Sequence, residues 1–389
     1  MIRKLILGFC IPLAIAGCGG GDGVPGTETQ ASAASMMPGT SVAPPSLPEP
    51  GLPTPERPGL PAERAAPEAR FTSPYALTLD RGGNLYVGGN GTVRRIAPDG
   101  SVTTLAGVNG VFGDAFGPPA DGTGAAARFN RLTALDTDAA GHLYATDTFL
   151  NEGRIRKITR QGNVTTVFEG IYGLGIETDE HHGLYIADNF RSAIARLAPD
   201  GSLTRLLEGQ LEPRGVVRDA GGNLYVLNTG QDFPPLGKTT YSCTLDRISP
   251  TGVRSTLAGA RAAQEFDNTC GHIDGPGAGA RIGAGAQGLA SDQAGNLYFA
   301  DTDNHTIRRY GTDGVLTTVA GSAGVAGSAD GAGGEARFNR PTSVAVDAAG
   351  NLYVADSGNH AIRKITPAGV VSTYAGQPGE PGSVDAGPV

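Results

Sequence analysis

The sequence predicts an all-β protein of six antiparallel, four-stranded sheets, each about 40 residues long, preceded by a leader and a linker that stay outside the fold. Three observations carry this reading. The stretch from Gly350 to Gly376, GNLYVADSGNHAIRKITPAGVVSTYAG, reads as three short alternating strands, and TSVAVD (Thr342 to Asp347) supplies a fourth across an Ala-Ala-Gly turn. Its Leu-Tyr pair recurs as Leu85-Tyr86, Leu143-Tyr144, Leu184-Tyr185, Leu224-Tyr225, Leu297-Tyr298 and Leu352-Tyr353, with Asp80, Asp138, Asp179, Asp219, Asp292 and Asp347 each five positions before the Leu. The 389 residues include 61 Gly and 27 Pro, which punctuate turns between these runs. One such sheet cannot bury both of its faces, so the copies must stack on one another.

Taken in order, the chain opens on a targeting segment. Arg3 and Lys4 precede an apolar run, Leu5 to Ala16, too short to span a bilayer. The run ends in Ile15-Ala16-Gly17-Cys18, which resembles a bacterial lipoprotein signal. That resemblance implies removal of residues 1–17, lipidation at Cys18 and, with Gly19 rather than Asp next, an outer-membrane address in the cell envelope, facing either side. The alternative is an ordinary secretory signal with an incidental Cys. Residues 18–67 are rich in Gly, Pro, Ala and Ser and nearly free of large apolar side chains, so a disordered tether is expected. As a flexible coil it would hold the folded part roughly 35–42 Å from the anchor.

Composition narrows the function classes. A net charge of −8 without basic runs argues against nucleic acid as a partner. Of the four Cys, Cys10 lies in the signal and Cys18 carries lipid, leaving Cys243 and Cys270 in an oxidising compartment. A disulfide between them is expected, with two free thiols as the alternative. Neither has a second ligand at metal-binding spacing, and no cofactor fingerprint occurs in a fitting context, so no metal and no cofactor are expected.

The motif GNLYVADSGNHAIRKI resembles the NHL repeat, and DTDNHTIRRY (Asp301 to Tyr310) repeats its Asn-His core. The resemblance covers Ala69 to about Gly376. It implies a six-bladed β-propeller over residues 68–389, with strand A of each blade lining the axis. The earlier blades replace Asn-His by Asn90-Gly91, Glu152-Gly153, Ser192 and the segment after Asn228. The family includes sensors, scaffolds and a few enzymes, so it is nearly silent on function.

Three long connections share one pattern: DGTGAAARFNR (Asp121 to Arg131), DGPGAGARIG (Asp274 to Gly283) and DGAGGEARFNR (Asp330 to Arg340). The tail GSVDAGPV matches its front, and Glu68-Ala69-Arg70-Phe71 its back. The termini are therefore expected to meet, with Asp385 beside Arg70, and to close the ring as a split loop without a swapped outer strand. The Asp of the pattern suits an N-cap, the Phe an interblade wedge and the Arg a latch.

All A–B and C–D turns are short, whereas every insertion falls in a B–C or D–A connection, so the irregular chain gathers on one rim. The richest insertion, Thr229 to Thr244, carries Phe233, Lys238 and Tyr241, composition suited to a contact surface or to a loop covering its own blade. At the axial mouth of that rim, strand A contributes Tyr75, Thr133, Leu174, Arg214, Gln287 and Thr342, a column with no carboxylate, His or Cys. Tyr75, Arg214 and Gln287, with Phe233, Lys238 and Tyr241, are the candidate binding residues.

Other columns read as structural. Asp147, Asp188, Asp301 and Asp356 end strand B, where each can accept N–H bonds in its own turn. Arg95, Lys157, Arg196, Arg247, Arg309 and Lys364 read as an exposed flank. His305 and His360 share one structural position, and His142, His181 and His182 lie on the plain rim. The leading reading is a lipid-anchored envelope propeller that binds a protein or glycan through the loop rim. The rivals are a lactonase- or lyase-like enzyme at the axial mouth, and a structural envelope component.

Overall fold

The Leu-Tyr pair accounts for the architecture. In a strand, successive side chains point to opposite faces. In the computed structural model of this chain, Leu85 packs into one interblade cluster and Tyr86 into the next. Leu143 and Tyr144 repeat the arrangement one blade on. Each blade thus plugs both of its neighbours with adjacent residues. The structure describes residues 68–110, 119–149, 152–208, 212–232, 240–261 and 268–387; Cys18 and the expected signal and linker lie outside them.

Six antiparallel sheets follow in chain order, each with its strands consecutive. Blade 1 has strands A to D at Ala76–Leu79, Leu85–Gly89, Thr92–Ile96 and Val102–Gly107. Blade 2 has Arg131–Thr137, Leu143–Phe149, Glu152–Ile158 and Asn163–Glu169. Blade 3 has Gly173–Thr178, Leu184–Asp188, Ala193–Leu197 and Leu203–Leu207. Blade 4 has Pro213–Arg218, Leu224–Asp232, Thr240–Ile248 and Arg254–Ala260. Blade 5 has Gln287–Ser291, Leu297–Asp301, Thr306–Tyr310 and Val315–Gly321. Blade 6 has Pro341–Val346, Leu352–Asp356, Ala361–Ile365 and Val370–Ala375. Each strand A packs on the next around the ring, and that of blade 6 on that of blade 1. The core is six wedges, one at each interface, from Phe71, Leu85 and Ile362 between blades 6 and 1 to Ala300, Phe338 and Leu352 between blades 5 and 6.

Blades 2, 5 and 6 carry a fifth, two-residue strand at the outer edge, supplied by the preceding D–A connection. Blade 1 receives the same element from the far end of the chain, where Ala386 pairs with Val102. Arg70 N donates to Val384 O at 3.1 Å, and Arg94 binds Asp385 at 2.7 Å while also donating to the Arg70 carbonyl. The termini therefore complete one split connection, and blades 1 and 6 keep all four of their own strands.

The Asp of this connection is not an N-cap: the short 3₁₀ turns begin after Thr123, Pro276 and Ala332 without side-chain caps. It instead reaches strands C and D of the blade it precedes. Asp121 accepts from Arg156 Nη2 at 3.0 Å and from Thr166 N at 3.0 Å. The Arg of the pattern latches its own turn, with Arg337 donating to the carbonyls of Gly334 and Ala336. The Phe is the expected wedge, Phe129 and Phe338 being 1% and 0% exposed.

The Asp closing strand A clasps its own A–B turn. Asp80 accepts from Gly82 N, Asn84 N, Asn84 Nδ2 and the Tyr86 hydroxyl at 2.9, 2.9, 2.8 and 3.2 Å. The same Asn-Asp-Tyr clasp closes blades 4, 5 and 6. Hydrogen-bonding chemistry thus explains why Asp, Asn and Leu-Tyr recur together.

Candidate functional site: the axial mouth of the loop rim

Strand A of each blade starts at the loop rim, so its first residues surround the mouth. A cavity of about 640 Å³ opens there, lined in part by Tyr75, Arg131, Arg214, Gln287, Asp303 and Arg340. Tyr75, Arg214 and Gln287 come from blades far apart in sequence, and the ring brings them together. The Tyr75 hydroxyl donates to Gln287 Oε1 at 2.8 Å across the mouth. Gln287 Nε2 donates to Thr302 Oγ1 at 3.3 Å, which fixes the carboxamide. Arg214 Nε donates to Thr229 O at 2.7 Å, so the backbone of blade 4 aims its guanidinium.

Arg131 and Arg340 end the shared pattern of the D–A connections. Both belong to the site because the D–A connection ends at the mouth. The Arg131 guanidinium lies 4.7 Å from the Tyr75 ring centroid. Arg340 pairs with Asp303 at 3.0 Å, and its backbone sits at φ +50°, a region that residues other than glycine adopt uncommonly. Ser73 holds the equivalent strained position, φ +44°, at the other side of the mouth. These two turns are held by His305 and His360, whose Nδ1 atoms accept from Arg340 N and Ser73 N at 3.0 Å each. The shared structural role expected of the two His is what the geometry shows.

A second lobe of about 480 Å³ adjoins the first across Tyr75 and Arg131, with Leu132, Phe149 and Tyr172 among its lining residues. The mouth is thus a polar, guanidinium-bearing cavity continuous with an aromatic groove. Phe233 and Lys238 lie outside the described residues, as does the side chain of Tyr241. The insertion that holds them is in part a lengthened hairpin: Gln231 pairs with Tyr241 and Asp232 with Thr240. At its base, Cys243 bonds Cys270, tying blade 4 to the connection entering blade 5.

Below the mouth, strand A carries two carboxylates outside the column expected at the mouth, two positions before the clasp Asp. Asp136 Oδ2 accepts from Thr178 N at 2.7 Å, and burial raises its pKa. Glu177, on the next blade, is pushed well above the usual carboxylate range by burial first and by Asp136 second. Among the described residues, no three His, Cys, Asp or Glu side chains gather as a metal-holding set.

Three of the strand-B aspartates, Asp147, Asp301 and Asp356, are held by a buried arginine of strand C, whereas Asp188 has only Arg191 as an ion-pair partner among the described residues, at 3.7 Å. Asp301 accepts from Gly283 N of the D–A connection at 3.2 Å and from Arg308 Nη1 at 2.8 Å. Arg308 also binds Asp274 at 2.8 Å. Arg156 joins Asp147 to Asp121, and Arg363 joins Asp356 to Asp330, in the same way. These arginines are the first of each Arg-Arg or Arg-Lys pair in strand C, a recurrence visible in the sequence. The neighbouring column, expected as an exposed flank, is partly covered: Lys364 is 6% exposed and stacks on Tyr353. Blade 4 reverses the polarity, with Asp246 in the Arg position, held by Arg254 and Arg261 at 2.8 and 3.0 Å.

Comparison with known proteins places the chain among propellers. Residues 338–365 match the NHL repeat. Over 374 residues the chain is 24% identical to Teneurin-3 of Mus musculus, covering 76% of this chain and 12% of that protein. The chain thus spans only 12% of the length of the curated relatives it matches. An auxiliary nutrient binding protein from Bacteroides thetaiotaomicron VPI-5482 superposes with a TM-score of 0.58 at 19% identity, covering 78% of this chain and 70% of that one. A protein of unknown function from the same organism gives 0.58 at 20% identity, covering 76% and 70%. At such identities the likeness is one of fold.

Proposed function

This chain is a six-bladed β-propeller carrying an NHL repeat, and from that premise we propose that it is a ligand-binding module whose axial mouth takes an acidic oligosaccharide. One observation carries the reading: Arg131, Arg214 and Arg340 converge with Tyr75 and Gln287 on one cavity of about 640 Å³, outnumbering its two carboxylates, Glu212 and Asp303. Planar guanidinium groups match carboxylates, and a carboxamide and a phenol match sugar hydroxyls. The adjoining groove with Phe149 and Tyr172 offers ring faces for further sugar units. A protein ligand is the weaker fit, because the exposed large apolar residues are spread over the described surface rather than gathered in one patch. Binding is also the role named for the nutrient-binding protein of the same fold.

The module is held at the bacterial outer membrane by lipid on Cys18, with residues 18–67 as tether. Among the described residues, no helix is long and apolar enough to cross a membrane. A lipidated Cys with several acyl chains would supply a stable anchor by itself. Catalysis is not part of this reading; among the described residues no three His, Cys, Asp or Glu side chains gather as a metal-holding set.

The test is a glycan array probed with the lipid-free chain, followed by titration calorimetry with a pectic oligogalacturonate. Saturable binding is expected, weakened at least tenfold by Arg214→Ala. Preference for neutral glycans, or equal binding by Arg214→Ala, overturns the acidic-ligand reading.

A further inference from the structure

On the opposite rim the turns follow one rule in blades 1, 4, 5 and 6 and break it between blades 2 and 3. The rule is the Asp-Asn-Tyr clasp with Gly at the left-handed position. In blade 2, His142 stands where the clasp has Asn, and its Nδ1 lies 3.0 Å from Asp138 Oδ2. In blade 3, His182 stands where the five other blades have Gly, at φ +62°, with Nδ1 3.7 Å from Asp138 Oδ2. Gly183 follows where the clasp Asn belongs, so Asp179 is held by Arg196 at 2.8 Å instead. Left-handed backbone is uncommon for any residue with a side chain, although His305 and His360 adopt it in their own turns as well. Local rules tend to break at functional sites.

Where the rule fails, a cavity of about 450 Å³ opens between the two blades. Its apolar wall includes Val167, Leu184, Leu197 and Pro199. Its polar end holds His142, His182, Tyr144 and Lys157. Asp138 is 1% exposed and already engaged by His142 and two backbone N–H groups, so it offers little to a ligand. Lys157 is half-buried, and its ammonium lies 5.6 Å from the Tyr144 ring centroid, with no carboxylate within ion-pair distance among the described residues. Beside the cavity, Arg160 packs over Gly141, and Glu180 is occupied by Arg218. The charge left for a guest is positive.

We propose that this cavity is a second binding site, distinct from the axial mouth, for a small carboxylate with an aliphatic body. The carboxylate meets the Lys157 ammonium and the two imidazoles, and the chain lies against Val167, Leu184, Leu197 and Pro199. Burial of the aliphatic part supplies affinity at about 0.8 kcal/mol per methylene, while the ammonium selects for the anion.

The experiment is titration calorimetry of the lipid-free full chain with hexanoate, hexan-1-ol and hexylamine. Hexanoate is expected to bind one-to-one, at least tenfold tighter than the alcohol, with no measurable binding of the amine. The paired substitution His142→Asn with His182→Gly restores the residues of the other blades. It is expected to keep or raise the melting temperature and to weaken hexanoate at least tenfold. Val167→Glu, at a 39% exposed position on the cavity edge, places a carboxylate in the mouth and is expected to abolish binding without disturbing the core. Equal affinity for alcohol and carboxylate, unchanged hexanoate binding in both variants, or no binding at all overturns the proposal. Arg214→Ala, which tests the axial mouth, is expected to leave hexanoate binding unchanged, so the two sites fail or stand separately.

Discussion

At the scale of single residues, the strongest constraint is the buried guanidinium repeated around the ring. Arg363 has no exposed side-chain surface and bridges Asp356 at 3.0 Å and Asp330 at 2.6 Å. Burying such a charge is tolerable only while its partners remain. Arg363→Met strands Asp356 in the interior, and a loss of about 3–5 kcal/mol is expected in denaturant unfolding. Burial also pushes the Asp301 and Asp356 carboxyls up to about 6, against the pull of their arginines. Carboxyl carbon resonances should therefore titrate near that value, well above an exposed Asp. Glu177 makes a sharper case. Its folded pKa is raised, so the native state holds the proton more tightly than the unfolded chain, and its contribution is present at low pH and lost as pH rises through the folded value. Glu177→Gln is expected to raise the melting temperature at pH 8 and to give no gain at pH 4, a pair of calorimetric scans being enough to decide.

At the scale of elements, the D–A connection does three jobs with one short sequence. It extends the outer edge of the next blade, feeds an Asp to that blade's buried Arg, and wedges a Phe into the interface. Between blades 6 and 1 this connection is broken into two chain ends, so closure depends on a few residues of tail. Deleting residues 378–389 removes Asp385 from Arg94 and Ala386 from Val102. Arg94, 3% exposed, then lacks its carboxylate. A loss of several degrees in melting temperature and early proteolysis at the blade 1 edge are expected. The Cys243–Cys270 bond spans 27 positions of sequence. Loop-closure entropy for such a span is worth roughly 3–4 kcal/mol, so the double Ser variant should unfold at lower denaturant than the parent, and reduction of the parent should reproduce the shift.

At the scale of the whole molecule, the propeller is a device for convergence. Tyr75 and Gln287 are 212 positions apart yet share a hydrogen bond at the mouth. Six wedges of core, each spanning two blades, hold that geometry rigid without a central core. The rim that carries the insertions also carries the cavity with Arg131, Arg214 and Arg340, while the plain rim carries a smaller cavity at the one interface where its turn chemistry lapses.

By itself the sequence determined the number of sheets, the four main strands of each but not the fifth edge strand of blades 2, 5 and 6, the rim on which the chain is irregular, and the meeting of the ends. These follow from short-range patterns: period-two alternation, Gly at tight turns, and an Asp that binds its own turn. The meeting of Tyr75, Arg214 and Gln287 at the axial mouth was legible too, because their place at the start of strand A set their height on the axis. Only the tertiary structure decided which side chains meet. The bridging arginines, the neighbouring carboxyls Asp136 and Glu177, and the gap between His142 and His182 each join residues from different elements. No local pattern encodes such a meeting, because it depends on how one blade is rotated onto the next.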